Sequence, residues 1–326
     1  MIVVTGGGGF IGSAIIWKLN KLDISNILAV DKFAKLQKYK NLDFLKYSSV
    51  LDKDTFLENI ESGKYDNILI DSIIHMGACS ATTEYNMDFL MKNNFEYTKK
   101  LCEYSVSRGI RFIYASSAAT YGDGSAGYDD DTDKLDELKP LNPYGMSKHL
   151  FDNWARDNGM FEKITGLKYF NVYGPNEYHK KDMCSVVFKC YNQIKQTGKA
   201  RLFKTTSDKY GDGEQKRDFI YIKDAVDMTL HFYFNKDING LFNVGTGNAN
   251  SFNSFVRPIF KALNQREEIE YFEMPEILIE KYQDYTCANM EKLRQTGYIK
   301  SIYNIDEAVS EYVSGYLEKE NQYLRS

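Results

Sequence analysis

Tyr144-x3-Lys148 lies just inside a segment that Pro140, Asn142 and Pro143 announce as the start of a helix. That spacing puts both side chains on one helical face. A free phenol titrates near ~10, so a tyrosine that is to take a proton near neutrality needs positive charge beside it, and the Lys148 ammonium supplies some. Ser117 closes a short apolar strand just upstream and can hydrogen-bond the same substrate oxygen. The pair Tyr191-x3-Lys195 has identical spacing but lies mid-helix and reads as an ordinary helix-surface pair. Only Tyr144 follows a strand-terminal serine pair, Ser116-Ser117.

A second constellation says what would be exchanged there. Met1 to Thr5 reads as an apolar strand, Gly6 to Gly9 as a glycine run, and Phe10 to Leu19 as an apolar-periodic helix, with Gly6-x2-Gly9-x2-Gly12 spanning the turn. Each glycine removes a side chain where the backbone must turn or approach a pyrophosphate, whose charge then faces free amides at the helix N-terminus. Asp31 ends a second apolar strand, Ile27 to Val30, about 20 residues later, where a carboxylate can accept from an adenosine ribose hydroxyl. The ligand expected is a dinucleotide, NADP or NAD, whose oxidised nicotinamide adds positive charge beside Tyr144.

The composition bounds the alternatives. A chain of 326 residues with 43% hydrophobic and 26% charged residues accommodates an α/β core with an added lobe. The net charge of -4 argues against a nucleic-acid partner, and the apolar runs are strand-sized, so no membrane span is expected. Five cysteines, without Cys-x2-Cys spacing, and four scattered histidines favour neither disulfides nor a metal site. With the first strand starting at residue 2, no targeting segment is expected, and the location expected is cytoplasmic. The acidic stretch Asp129 to Asp133, within a polar surface loop from Tyr121 to Leu138, reads as a solvated face.

Positioning these groups calls for a particular scaffold. Short apolar strands near Ile2, Ile27, Ile68 to His75, Phe112 to Ser116 and Leu167 to Val172 alternate with helix-period segments, the pattern of a Rossmann-type, doubly wound parallel sheet. Ligands of such sheets bind at the carboxyl ends of the strands, where Gly6, Asp31, Gly77-Ala78-Cys79, Ser116-Ser117 and Asn171 fall. Further on, a helix over Met183 to Thr197, a charged insertion over Thr205 to Lys216, strands at Asp218 to Ile222 and Leu241 to Val244, a helix at Asp224 to Phe234 and a strand at Ile269 to Phe272 are expected. The division implied is residues 1–172 plus 217–246 for a dinucleotide-binding domain, and 173–216 plus 247–326 for a smaller, interleaved substrate domain.

Together, Thr5-Gly6-x2-Gly9-Phe10-Ile11-Gly12, Ser117, Tyr144-x3-Lys148 and Arg217-Asp218-Phe219 resemble the extended short-chain dehydrogenase/reductase family, whose members modify nucleotide sugars. More narrowly, His75-x-Gly77-Ala78-Cys79-Ser80-x-Thr82-Thr83-Glu84, Tyr114 to Gly122 and Tyr169 to Pro175 are similar to the branch of that family acting at C6 of ADP-heptose. The resemblance implies an NADP-using isomerase, an ADP-heptose substrate, a role in lipopolysaccharide inner-core supply and a homo-oligomer, a pentamer by family. It also implies a second acid/base in the segment after Gly174-Pro175, namely Lys180, with His179 and Lys181 as neighbours that could fill the role.

By the same resemblance Gly6, Gly9, Phe10, Ile11, Gly12, Asp31, Lys32, Lys38, Lys53, Gly77, Ala78, Cys79, Ser80, Asn93, Lys148, Val172 and Lys180 face the cofactor. Ser117, Asn171, Asp182, Lys189, Phe203, Arg217 and Tyr282 face the nucleotide sugar. Arg217 has its own warrant, since a guanidinium gives a diphosphate bidentate, charge-assisted hydrogen bonds. Met76, Lys189 and the insertion depart from the pattern. A 4,6-dehydratase is disfavoured because Ala118-Ala119 cannot move protons; a 4-epimerase, for which Lys180 is dispensable, and a silent cofactor-binding regulator are the other readings.

Overall fold

The computed structural model describes residues 1–32, 40–279 and 282–326; Lys38 lies outside them. Seven parallel strands form the central sheet: β1 (Ile2–Thr5), β2 (Ile27–Asp31), β3 (Ser49–Asp52), β4 (Ser72–His75), β5 (Arg111–Ser117), β6 (Thr165–Tyr169) and, after further elements, β10 (Gly240–Val244). Their spatial order is β10-β6-β5-β4-β1-β2-β3. Every neighbouring pair is parallel, with Thr5 opposite Val30 on one side and His75 on the other. A parallel sheet covered on both faces needs strands that are apolar throughout. Ile2, Val3 and Val4 are accordingly all buried. Alternation then sends Val3, Leu28 and Ile73 into one apolar cluster and Val4, Ala29 and Ile74 into another on the opposite face.

Helix α1 (Phe10–Asn20) packs Ala14, Ile15, Ile16 and Leu19 onto the second of those faces. The first face is covered by α2 (Lys53–Glu61), by α4 (Tyr97–Ser107), which continues α3 (Met87–Leu90) through a π-helical segment at Met91–Glu96, and by α5 (Pro143–Asp157). The chain order reverses between β1 and β4, which is where a doubly wound sheet opens a crevice at its carboxyl edge. Gly6 and Gly77 face each other across that reversal. A Cβ on Gly6 would sit 2.8 Å from the Gly77 amide nitrogen, and Gly6 has φ +66°, so only glycine fits.

The remaining elements form the wall opposite. Strands β7 (Asn171–Tyr173) and β9 (Lys216–Tyr221) pair in parallel, with β11 (Ala249–Ser251) antiparallel to β9. Strand β8 (Ala200–Phe203) pairs with β12 (Ile269–Phe272). Around them lie α6 (Val186–Thr197), α7 (Ile222–Phe234), α8 (Phe252–Ala262) and, near the chain end, α9 (Ile305–Tyr312). Among the described residues no helix is long and apolar enough to cross a membrane.

Several sequence expectations need correction. The Ile68 to His75 strand begins only at Ser72; Ile68 and Leu69 are exposed. The expected Leu167 to Val172 strand is two, because the chain leaves the large sheet at Phe170 and re-pairs as β7 with β9. Strand β3 was not expected, since as an edge strand it exposes most of its side chains and its only apolar residues are the pair Val50 and Leu51. The helix expected from Met183 starts at Val186, where Ser185 caps it by accepting from the Phe188 amide. Asp130 is not part of a solvated face. It is buried and accepts from the Asn243 amide at 2.7 Å, fastening the Tyr121 to Leu138 loop to β10. Nor are Tyr191 and Lys195 a bare surface pair: Tyr191 is buried, and both bind Glu318.

Candidate active site

The turn after β1 is built for an anion. Gly9 is the N-cap of α1 and provides no side-chain hydrogen bond, and the first turn carries no acidic residue, so the helix presents uncapped amides. A Cβ on Gly12 would lie 2.1 Å from the Gly6 carbonyl oxygen, which is why the helix can approach the strand only with glycine there. Asp31 accepts from the Gly8 amide at 3.1 Å, tying the end of β2 to the glycine turn. These features fit a dinucleotide pyrophosphate, with Asp31 at the ribose end.

Two cavities meet beside this turn, of about 430 and about 480 Å³. Both sizes suit a small-molecule ligand. The first is walled by Gly6, Gly9, Phe10, Ile11 and Gly12, by Asp31, by the Gly77 to Ser80 turn, and by Ser117, Tyr144 and Lys148. A side pocket carries Lys32, Lys53 and Asn93. There Lys53 lies over the Tyr97 ring and pairs with Asp54 at 2.7 Å, while Asn93 donates to Asn94. The second cavity holds Asn171, Lys189, Phe203, Arg217 and Tyr282. Val172 and Lys180 belong to both.

The chemistry-bearing residues come together in the first cavity. Asn142 caps α5 by accepting from the Gly145 amide at 2.8 Å, with Pro143 in the first turn, so Tyr144 and Lys148 start from a fixed helix end facing the tip of β5. Burial raises the Tyr144 phenol above its ordinary value, and a hydrogen bond with Ser117 acts against that rise. Lys148 donates to the Ala115 carbonyl at 2.8 Å. Burial lowers its ammonium to about 8, with Asp152 opposing the shift.

Lys180 stands where the cavities join, its ammonium over the Phe10 ring at 5.1 Å and its proton affinity lowered mainly by burial. Its two neighbours are placed differently. His179 lies on the first cavity's wall, with Nδ1 3.3 Å from Asn41 Nδ2, and Lys181 is exposed and lines neither cavity. Asp182 is exposed and lines neither; its carbonyl accepts from Lys189. Arg217 is buried at the far end, stacked over Tyr282 at 5.0 Å and Phe252 at 5.8 Å.

Asn94 escaped the sequence reading. Fully buried in the π-helical segment, it accepts from the Cys79 amide at 2.8 Å and donates to the Cys79 carbonyl and the Ser147 hydroxyl, both at 3.0 Å. It therefore joins the cofactor-side turn to the tyrosine helix. Its one sequence signal is an asparagine pair in a helix, where asparagine is a poor former.

Residues 2–245 match the NAD dependent epimerase/dehydratase family. The chain belongs to that family. Among curated relatives of this epimerase/dehydratase chain, the ADP-L-glycero-D-manno-heptose-6-epimerase of Nitratidesulfovibrio vulgaris is 49% identical over 99% of the chain and the whole relative. The enzyme of the same name from Fusobacterium nucleatum is 47% identical, again over 99% of the chain and its own full length. The crystal structure of the Helicobacter pylori ADP-L-glycero-D-manno-heptose-6-epimerase superposes with a TM-score of 0.81 at 27% identity, covering 96% of this chain and 95% of that one. The Bacillus cereus UDP-glucuronic acid 4-epimerase, solved with UDP-glucuronic acid and NAD, shares the fold at a TM-score of 0.75 and 23% identity, covering 96% and 98%. A nicotinamide dinucleotide is the family's cofactor, and the uncapped glycine turn with Asp31 fits it.

Proposed function

We propose that the chain converts ADP-D-glycero-β-D-manno-heptose to its L-glycero epimer by inverting C6, with NADP as the bound cofactor. One observation carries this reading: the cavity of Tyr144, Ser117 and Lys148 opens at Lys180 into the cavity of Arg217, so a single cleft offers acid/base groups at one end and a diphosphate clamp at the other. The relatives that cover the whole chain are named for this reaction.

The C6 hydrogen of the heptose has no neighbouring carbonyl, so its removal as a proton would leave an unstabilised carbanion. The nicotinamide when bound supplies the alternative, taking that hydrogen as hydride and giving it back. Tyr144 takes the hydroxyl proton as C6 is oxidised, and Ser117 holds the same oxygen. The product is a 6-keto sugar. Rotation about the C5–C6 bond turns its other face toward the site of hydride return, and a proton from Lys180, across the cleft, completes the inverted alcohol. Tyr144 then gives its proton to solvent and Lys180 takes one from solvent, which restores both groups, and because the hydride returns to C6 no outside oxidant is needed. Arg217 holds the diphosphate with Asn171, Lys189, Phe203 and Tyr282 around it, and Asp182 orients Lys189 through its carbonyl.

For the cofactor, Lys32 and Lys53 beside Asp31 support NADP by offsetting the carboxylate near a 2'-phosphate. The division at 172/173, 216/217 and 246/247 separates the dinucleotide half from the sugar half, and a cytoplasmic homo-pentamer is the assembly expected. The test is proton NMR of ADP-D-glycero-D-manno-heptose with purified protein and no added nicotinamide, beside UDP-galactose and GDP-mannose. Conversion of the heptose alone is expected. Turnover of another sugar instead, or of none even with NADP and NAD added, overturns the assignment.

A further inference from the structure

Gln215 is buried to 1% exposure on the wall of the second cavity, yet its Nε2 has no hydrogen-bond partner. Among the described residues it is the one such buried, unpartnered side-chain atom on the walls of the two joined cavities. A buried amide donor without an acceptor is costly, so its retention beside a cavity points to an acceptor on whatever enters.

The surroundings say which part of a ligand that is. Side chains two residues apart along a strand share a face, and Gln215, Arg217 and Phe219 all line this cavity. Gln215 directly precedes β9, and extended backbone spaces it roughly 6–7 Å from Arg217, so its amide stands beside the guanidinium on the same wall. The adjoining wall is aromatic: Phe203 and Phe272 lie 4.8 Å apart, and Tyr282 stands edge-on to Phe203 at 6.5 Å. Flat faces with one in-plane amide donor match a nucleobase, whose ring stacks while an edge nitrogen or oxygen accepts.

The position of Gln215 is also built rather than incidental. The insertion before β9 is closed by Asp212, which accepts from the Thr205 amide at 2.9 Å. Asn253, at the start of α8, grips the same turn from its amide to the Gly213 carbonyl at 3.0 Å and from Nδ2 to the Asp212 carbonyl at 3.0 Å and to Glu214 at 2.6 Å. Gly213 has φ +71°, and a Cβ there would meet the Asn253 carboxamide at 2.3 Å. The insertion thus delivers Gln215 into the cavity by a fixed path.

We propose that Gln215 reads the nucleobase of the nucleotide sugar, its Nε2 donating to a ring-edge acceptor, and that the insertion exists to place it. This rests on the second cavity being the nucleotide-sugar site. The test is calorimetric binding of ADP and UDP to the cofactor-loaded wild type and to Gln215→Met, which keeps the volume and removes the amide. Expected is a preference for one nucleotide in the wild type, and a loss of about 3- to 10-fold in affinity for that nucleotide alone in the variant. Unchanged affinities, or equal losses for ADP and UDP, overturn base reading. A wild-type preference for UDP that collapses in the variant would leave Gln215 as the base reader while removing the ADP-sugar assignment. Should Gln215→Met not fold, the wild-type crystal structure with ADP decides. Nε2 within about 3.2 Å of a base acceptor supports the proposal, and Nε2 facing anything else overturns it.

Discussion

Lys168 and Asp152 form an ion pair at 3.0 Å with neither side chain exposed, one helical turn beyond Lys148 on the same face of α5. Asp152 also accepts from the Tyr114 and Ser116 hydroxyls, each at 2.7 Å, so the tip of β5 and the tyrosine helix are pinned to one carboxylate. Lys168 in turn donates to Thr120, in the turn that follows Ser117. Removing one member of a buried pair strands the other charge. Asp152→Asn is therefore expected to destabilise the fold by about 3–5 kcal/mol in urea unfolding, and a loss under 1 kcal/mol would contradict that role.

Lys148 links that network to pH. Its ammonium is lowered to about 8, so the cationic form is lost as pH rises through that value. A phenol that needs the cation beside it loses its support over the same interval. The value of kcat/KM is expected to fall above about pH 8, and Lys148→Arg, which stays charged, to move that fall upward. A profile in Lys148→Arg identical to the wild type would dissociate the lysine from the titration.

Tyr144 and Lys180 are assigned opposite sides of one carbonyl. Separate Tyr144→Phe and Lys180→Met substitutions should each lower kcat by roughly 100-fold or more while the protein still co-purifies with its cofactor. Full activity in Lys180→Met would reduce that residue to a wall of the cleft, as a single-tyrosine 4-epimerase would have it.

Away from the cleft, Asp224 in the first turn of α7 is held at about 7, raised chiefly by burial against the hydrogen bond it receives from the Tyr303 amide. A carboxyl raised on folding gains protons in the native state, so its contribution to stability is present below about 4 and is lost as pH rises toward 7. Asp224→Asn is expected to be more stable than the wild type by about 1–3 kcal/mol at pH 8, with the advantage shrinking by pH 4–5. Equal unfolding midpoints at pH 8 would show that the carboxylate is solvated.

How much of this was legible in the chain depends on whether a residue's role is local. The glycine turn was, because backbone sterics at Gly6 and Gly12 are written into their own residue types. So was the start of α5, where Asn142 and Pro143 act within one turn. Strand β3 was not, since an exposed edge strand needs no apolar pattern. Asp130 looked like one charge in an acidic run; only the return of β10 shows the amide that it accepts. Asn94 and Gln215 are polar residues whose meaning comes from distant partners: the Cys79 turn for one, an aromatic cavity for the other.

The most direct test of redox epimerisation is proton NMR of ADP-D-glycero-D-manno-heptose converted by the purified protein in deuterium oxide. Hydride removal and return keep the original hydrogen on carbon, so the L-glycero product should carry protium at C6. Deuterium at C6 would mean that the hydrogen leaves as an exchangeable proton, and the roles given to the nicotinamide and to Tyr144 would both be wrong.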